Sequence, residues 1–342
     1  MDAVDAALAE APAAGDGFRV LATQRTEIPR PLAERLRRLA LPGAWTAADG
    51  DAIDELGALD RQVGELFASA ALALLASQGL APAAVRAIGS HGQTLRHRPR
   101  AADPFTLQIG DPNLLAARTG IPVVADFRRR DVALGGQGAP LVPAFHLAMF
   151  ADPAERRAVL NLGGIANLTL LAPGETVTGF DTGPANGLMD AWTRHHLDRP
   201  FDEDGRWAAT GQVSAPLLEA LHGHPFLRLP APKSTGPEEF DLRWLGERLA
   251  AVGPVRPEDV QATLCEFTAL TVAEALAPAP APARLIVCGG GVHNRRLMAR
   301  LAARLPATRV ESSAAHGLDP DHVEAAAFAW LAARTLAGEP GN

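Results

Sequence analysis

Asp181, in the run Phe180-Asp181-Thr182-Gly183-Pro184, is the residue of this chain best suited to chemistry. A carboxylate with a reference pKa of about 3.9 is ionised at neutral pH and can take a proton from water or a sugar hydroxyl once it is positioned. It belongs to a longer stretch, residues 158–190, AVLNLGGIANLTLLAPGETVTGFDTGPANGLMD. There an apolar β run is expected to stop at Asn161 and the pair Gly163-Gly164, to restart at Asn167, and to stop again at Asp181. Backbone N–H groups at Gly163 and Gly164 can approach an anion with no Cβ in the way, so two strand ends would set a phosphate site beside a base. The alternative is a β-hairpin in which glycine and Asp-Thr-Gly-Pro only make turns.

A second glycine group, Gly289-Gly290-Gly291, closes the apolar run RLIVC and precedes a helix opened by Asn294. Bare backbone and a helix N-terminus there suit a nucleotide, and the competing explanation is a tight turn that needs φ > 0. Neither a GxxxxGK[ST] P-loop nor a GxGxxG fingerprint occurs. In Ser90-His91-Gly92-Gln93-Thr94 an imidazole, an amide and a hydroxyl leave a strand end together, a set suited to sugar hydroxyls and carboxylates, with His91 at most positioning. Arg128, Arg129 and Arg130 follow another strand, and guanidinium reads carboxylate or phosphate in bidentate fashion. On an extended chain adjacent arginines face opposite ways, so one of the three would read substrate and the others would be solvated.

The elements that must hold these groups alternate between strand and helix. Residues 52–78 carry Ile53, Leu56, Leu59, Val63, Leu66, Phe67, Ala70 and Leu74 at helical spacing and form one long amphipathic helix. Strands are expected over 86–94, 106–111, 122–127 and 284–291, and a further helix over 258–276. A last helix should start with Asp319 as its cap and Pro320 at its first position, with Val323, Ala326, Ala327, Trp330 and Leu331 as its buried stripe. This alternation means an α/β protein.

The chain has 342 residues and 47% hydrophobic content, enough for about two domains of roughly 150 residues. Its net charge of -7 argues against a nucleic-acid or anionic-membrane surface and favours a small-molecule partner. Cys265 and Cys288, the two cysteines, read as buried inert thiols of a reducing compartment. No metal-ligand spacing is present, MDAVDAALAE is no signal peptide, and no apolar run reaches a membrane span, so a cytoplasmic location is expected.

Six blocks, SHGQTLRHRP, TLQIGDPNLLAARTGIPVVADFRRRDVALGGQGAPLVPAFH, LNLGGIANLTLL, FDTGPANGLMDAW, APKSTGPEEF and VCGGGVHNRRLM, resemble the anhydro-N-acetylmuramic acid kinase family in order and spacing, over nearly the whole chain. The resemblance implies an actin-like, hexokinase-like (ribonuclease H-like) α/β fold of two lobes with an ATP cleft between them, usually as a homodimer. It sets a first lobe at 1–130, onto which a helix at 318–342 packs back, and a second lobe at 131–317. It further implies hydrolytic opening of 1,6-anhydro-N-acetylmuramic acid and phosphorylation of O6 from ATP with Mg2+. In that reading Asp181 is the general base for the attacking water, Asp2, Asp5, Gly163, Gly164, Gly289, Gly290 and Gly291 bind ATP, and Gln93, Thr94, Arg130 and Glu324 line the sugar pocket. Glu324 is not distinguishable from a surface glutamate on sequence grounds alone.

Two departures stand against the family pattern. Met1-Asp2-Ala3-Val4-Asp5 matches only the later part of the family's Gly-Thr-Ser-x-Asp-Gly-x-Asp loop, and Ala185 fills a glycine slot. Weakened ATP binding is the expectation from the first. Two other functions stay open on this footing: a kinase for another 1,6-anhydrosugar, and a non-catalytic sensor of ATP or muropeptides.

Overall fold

The computed structural model describes residues 3–11, 17–236 and 238–341. Asp2, expected at the nucleotide, lies outside them. The chain divides into two compact units, one formed by residues 1–141 and 322–342 and the other by residues 142–321.

The first unit opens with an antiparallel pair, β1 (Ala3–Glu10) and β2 (Arg19–Glu27), followed by α1 (Arg30–Ala40) and α2 (Ala52–Ser77). Asp51 caps α2 by accepting from the backbone N–H of Ile53 and Asp54. Leu59, Val63, Ala70 and Leu74 are buried as the helical period requires, whereas Ile53, in the exposed first turn, is 78% exposed. Gly64 is where α2 meets the next helix, since a Cβ there would stand 3.2 Å from the backbone of Asp111. The strand expected over 86–94 is instead two, β3 (Ile88–Ser90) and β4 (Gln93–Arg98), because Gly92 at φ 76° turns the chain between them. β5 (Phe105–Ile109) pairs antiparallel with β4, α3 (Pro112–Thr119) follows, and β6 (Val123–Ala125) runs parallel to β3. The chain then enters a helix, α4 (Phe127–Ala133), so the three arginines are not on an extended segment as expected.

The second unit begins with α5 (Pro143–Phe150) and a three-stranded meander, β7 (Arg157–Leu162), β8 (Ile165–Leu171) and β9 (Thr178–Pro184). Four helices lie between this meander and its continuation: α6 (Asn186–Leu197), α7 (Arg206–Thr210), α8 (Ala215–His222) and α9 (Leu242–Val252). They are followed by the buried α10 (Pro257–Leu276), then β10 (Arg284–Cys288), α11 (Arg295–Arg304) and β11 (Arg309–Ser312). The five strands form one sheet in the order β11-β10-β7-β8-β9. β7, β10 and β11 are parallel, and β7, β8 and β9 are antiparallel neighbours. That is the ribonuclease H-like sheet of actin-like, hexokinase-like proteins. Its α10 face is apolar, with Leu160, Leu162, Leu168, Phe180, Leu285 and Val287 in one buried cluster with Phe267 of α10.

The chain returns to the first unit in α12 (Val323–Ala337). This helix starts later than expected: Pro320–His322 is a separate 3-10 turn, and Asp319 accepts from Asp321 N–H rather than capping the helix. Of its expected stripe, Val323, Ala326, Ala327 and Leu331 are buried, while Trp330 is only half-buried. Both cysteines are buried and unbridged, and burial pushes the Cys265 thiol up to about 12.

Candidate active site

β7, β9 and β10 run in one direction, so their carboxyl ends reach one edge of the second unit's sheet, the edge at which open α/β sheets bind ligands. Cys288, Asn161, Asn167 and Asp181 stand there in register across β10, β7, β8 and β9. Residues directly opposite each other share a face, so this polar row lies on the side away from α10. A β-bulge makes the alignment: Ala166 faces Gly183 and Asn167 faces Asp181, leaving Thr182 as the extra residue. Without it, a one-residue slip would send Asp181 to the apolar face. Asp181 therefore sits inside β9, which continues to Pro184, and not at a strand end as the sequence suggested. The chain also restarts at Ile165 rather than Asn167, so Gly163-Gly164 is the loop of a β-hairpin.

Asp181 is 6% exposed and gripped from the segment Lys233-Ser234-Thr235. Its N–H donates to Lys233 O (2.9 Å), and its Oδ2 accepts from Thr235 N–H (2.9 Å). Lys233 Nζ donates to the carbonyls of Phe226 (3.2 Å) and Leu227 (3.0 Å) and sits 4.6 Å from the centre of the Phe226 ring. One carboxylate oxygen is thus fixed by a backbone donor, which orients the group. Lys233 and Thr235 were not picked from the sequence. Their only signal was membership of the APKSTGPEEF block, because the contact is made 54 residues away in sequence.

The glycines divide by cause. Gly289 has φ 79°, and a Cβ on it would collide with Asn161 Oδ1 and lie 2.9 Å from Leu162 O. A Cβ on Gly291 would lie 2.5 Å from Leu162 Cβ. These two are therefore glycine for turn geometry and packing, the second explanation weighed for the triplet. A 3-10 turn, Gly290–His293, separates them from α11, whose cap Asn294 accepts from Leu297 N–H (3.0 Å). Gly163, Gly164 and Gly290 are different. None has a positive φ, and a Cβ would come no closer than 3.6, 3.9 and 3.9 Å to the protein. Nothing in the fold requires them to be glycine, and the room over their backbone suits a phosphate-bearing ligand. The start of α6 closes on the first glycine segment: Asn186 N–H donates to Gly163 O (3.0 Å), Gly187 N–H to Gly164 O (3.1 Å), and the Asn186 side chain to Leu162 O (2.8 Å). Ala185 has φ −125°, so its slot does not demand the left-handed region.

The first unit holds a second polar group. Glu324 lies in the opening turn of α12, and its carboxyl is held above the usual range. Desolvation is the main cause and the Asp5 carboxylate adds to it, while the Arg128 guanidinium opposes both. The residue as a whole is nevertheless exposed to solvent. Arg128 donates from Nε to His91 Nε2 (2.8 Å) and from Nη1 to Gly138 O (2.6 Å). Burial and Arg128 drive the His91 pKa down to about 3, so its ring is neutral at physiological pH. That fits a positioning group. His91 also packs 4.7 Å from the ring of Phe328, one turn beyond Glu324.

Gln93 and Thr94 open β4 after the Gly92 turn. Gln93 Nε2 donates to Thr94 O (3.2 Å), and Thr94 Oγ1 accepts from Gln108 Nε2 (3.2 Å). Of the arginines, Arg129 pairs with Asp126 (3.3 Å), while Arg130 is exposed on α4 and its side chain makes no hydrogen bond or ion pair among the described residues. The structure thus groups Arg128, not Arg130, with His91, Glu324 and Asp5. The signal missed was that 127–133 is helical, which takes consecutive arginines around an axis instead of alternating them across a strand. Among the described residues no group of three or more His, Cys, Asp or Glu is placed to hold a metal ion.

A family model described as anhydro-N-acetylmuramic acid kinase matches residues 1–342. An anhydro-N-acetylmuramic acid kinase of Xanthomonas campestris pv. campestris (strain 8004) is 59% identical over 308 residues, 89% of this chain and 81% of the relative. A protein of the same name from Xylella fastidiosa (strain Temecula1 / ATCC 700964) is 56% identical over 291 residues, 85% and 76% of the two chains. Among solved structures, a ROK family glucokinase from Streptomyces griseus in complex with glucose and AMPPNP aligns over 92% of each chain, with 13% identity and a TM-score of 0.39. On the family match and the identity to these relatives, the chain belongs to the anhydro-N-acetylmuramic acid kinase family.

Proposed function

We propose that the protein is an ATP-dependent kinase that opens 1,6-anhydro-N-acetylmuramic acid with water and phosphorylates O6, giving N-acetylmuramate 6-phosphate and ADP in cell-wall recycling. The observation that carries this reading is a buried, oriented Asp181 in the polar row at the same sheet edge as the open Gly163-Gly164 loop. A base and a phosphate cradle are what the two halves of the reaction need. Asp181 takes a proton from the water that attacks C1, the C1–O6 bond breaks, and O6 becomes the acceptor of the phosphoryl group. ATP would supply that phosphoryl group, and Gly163, Gly164 and Gly290 are the residues that would hold its phosphates.

Gly289 and Gly291 shape the turn that carries Gly290 near the nucleotide. On the first unit, Asp5 is the carboxylate that would contribute to holding Mg2+, an ion that prefers phosphate, carboxylate and water ligands. Gln93, Thr94, Glu324 and an arginine, Arg130 or Arg128, bind the sugar, the arginine reading its lactyl carboxylate. We place the activity in the cytoplasm, where ATP is found; no helix among the described residues is long and apolar enough to cross a membrane. We also propose a homodimer, which sedimentation velocity at micromolar concentration would show as a single species of twice the chain mass.

The test is ADP release by the purified chain with MgATP, with and without 1,6-anhydro-N-acetylmuramic acid, together with mass and NMR analysis of the sugar. Sugar-dependent ADP and a 6-phosphate are expected. ADP release indifferent to the sugar, or none at all, would overturn the reading. A faster reaction with an anhydrosugar lacking the lactyl group would move the assignment to that substrate.

A further inference from the structure

The polar row contains a buried acceptor that the reaction does not use. Asn167 stands directly opposite Asp181, on the same face, because of the bulge at Thr182. Its amide oxygen is shut off from solvent and has no hydrogen-bond partner among the described residues. A buried acceptor left unmade is a standing cost to the fold, and such groups concentrate where function requires them. The face of β8 that bears Asn167 is packed further along the strand, at Thr169 and Leu171, whereas Asn167 stands near the strand's start beside the Gly163-Gly164 loop. Opposed Cβ atoms on neighbouring strands lie about 5 Å apart, within reach of one shared small molecule. Asn167 as a whole is only half-buried, and the torsion that turns its amide is soft, so the same oxygen can swing toward the open strand ends.

Resting on the function proposed above, we infer that Asn167 is a positioning residue for the attacking water, accepting one of its protons while Asp181 accepts the other. Water held by both hydrogens presents a lone pair along a defined direction, which a single acceptor cannot impose. Asn167 remains neutral and takes no proton. Its contribution is therefore to the orientation of the nucleophile and not to its basicity.

An alcohol has only one such proton, so the pair of acceptors should favour water over methanol. The experiment measures turnover of 1,6-anhydro-N-acetylmuramic acid by the parent chain and by Asn167→Leu in buffer containing methanol, counting N-acetylmuramate 6-phosphate against its methyl glycoside by mass. In the methanolysis the C1–O6 bond breaks, the C1–OCH3 bond forms, the methanol proton passes to Asp181, and O6 takes the phosphoryl group as before. Expected for Asn167→Leu are a kcat lowered by roughly tenfold at nearly unchanged KM, and a methyl glycoside fraction raised several-fold. Asn167→Ala carries the same expectation and replaces the leucine variant should that one fail to fold. An equal loss of both products, a rise in KM alone, or no change would overturn the inference while leaving the kinase reading intact. A parent chain with no sugar-dependent turnover would remove the kinase reading and the inference together.

Discussion

Replacing Gly163 by alanine, in parallel with Gly291→Ala, separates a glycine kept for a ligand from a glycine kept for the fold. At Gly163 a Cβ would come no closer than 3.6 Å to the protein, and φ is outside the left-handed region. Stability should therefore hold or rise by about 0.4–1 kcal/mol, because alanine narrows the unfolded ensemble. At Gly291 the Cβ would stand 2.5 Å from Leu162 Cβ and 3.0 Å from Asn186 Oδ1, in a wall of buried side chains. Overpacking of that kind costs about 1–3 kcal/mol. For nucleotide the order reverses. A methyl over the Gly163 amide holds the phosphate off and weakens one charge-assisted hydrogen bond of about 1.5–3 kcal/mol, which is roughly ten- to 150-fold in Kd. Urea unfolding without ligand and calorimetric titration with MgATP give the two quantities. Unchanged MgATP affinity in a stable Gly163→Ala would refute the phosphate assignment, however well the variant folds.

Asp181→Asn should keep MgATP binding and lose at least about a hundredfold in sugar-dependent turnover, since a positioned base contributes roughly 10² to 10⁴; near-normal kcat would displace Asp181 from its role. Arg128→Gln should lower stability by about 1.5–3 kcal/mol through the lost bonds to His91 and Gly138, whereas Arg130→Gln should leave the melting temperature in place and raise KM for the sugar about tenfold or more. An unchanged KM in Arg130→Gln, beside a raised one in Arg128→Gln, would transfer the carboxylate contact to Arg128. His146, 1% exposed against Thr169, has its pKa lowered by burial to about 3, so the folded state prefers the neutral ring. The stability this gives is complete above the unfolded pKa of about 6.5 and is lost as pH falls from there toward 3, amounting to roughly 2 kcal/mol by pH 5. Urea melts of His146→Gln should show an acid loss between pH 7 and pH 5 smaller by about that amount, and an identical loss would exclude His146 as its source.

What could be read from sequence follows from the range of the interactions. The helix at Ala52–Ser77 and the strand before Gly289 are written in periodicity and in bounding residues, both local. Asp181 was legible as a residue but not in its setting, because its alignment depends on a bulge between β8 and β9 and on backbone groups at 233 and 235. Arg128 was hidden by a wrong local assignment: seven residues after a short strand carry too few turns for a helical period to stand out. Glu324 was invisible for a different reason. Its neighbours Asp5 and Arg128 come from the other end of the chain, and nothing near it in sequence marks a carboxyl whose surroundings will raise its pKa.

The first unit is discontinuous, and this orders its assembly in time. Asp5, His91 and Arg128 are synthesised early, yet Glu324 and Phe328, which complete their surroundings, arrive on α12 only after the whole of residues 142–321 has been made. At ribosomal rates of about 5–20 residues per second that interval is roughly ten to forty seconds. During it the second unit, continuous in sequence, can fold as a unit, while Gly89, which packs against the backbone of Phe328 in the finished fold, still lacks that partner. The candidate sugar-binding group is therefore the last part of the molecule to form, and a nascent chain whose second unit is already folded still lacks it.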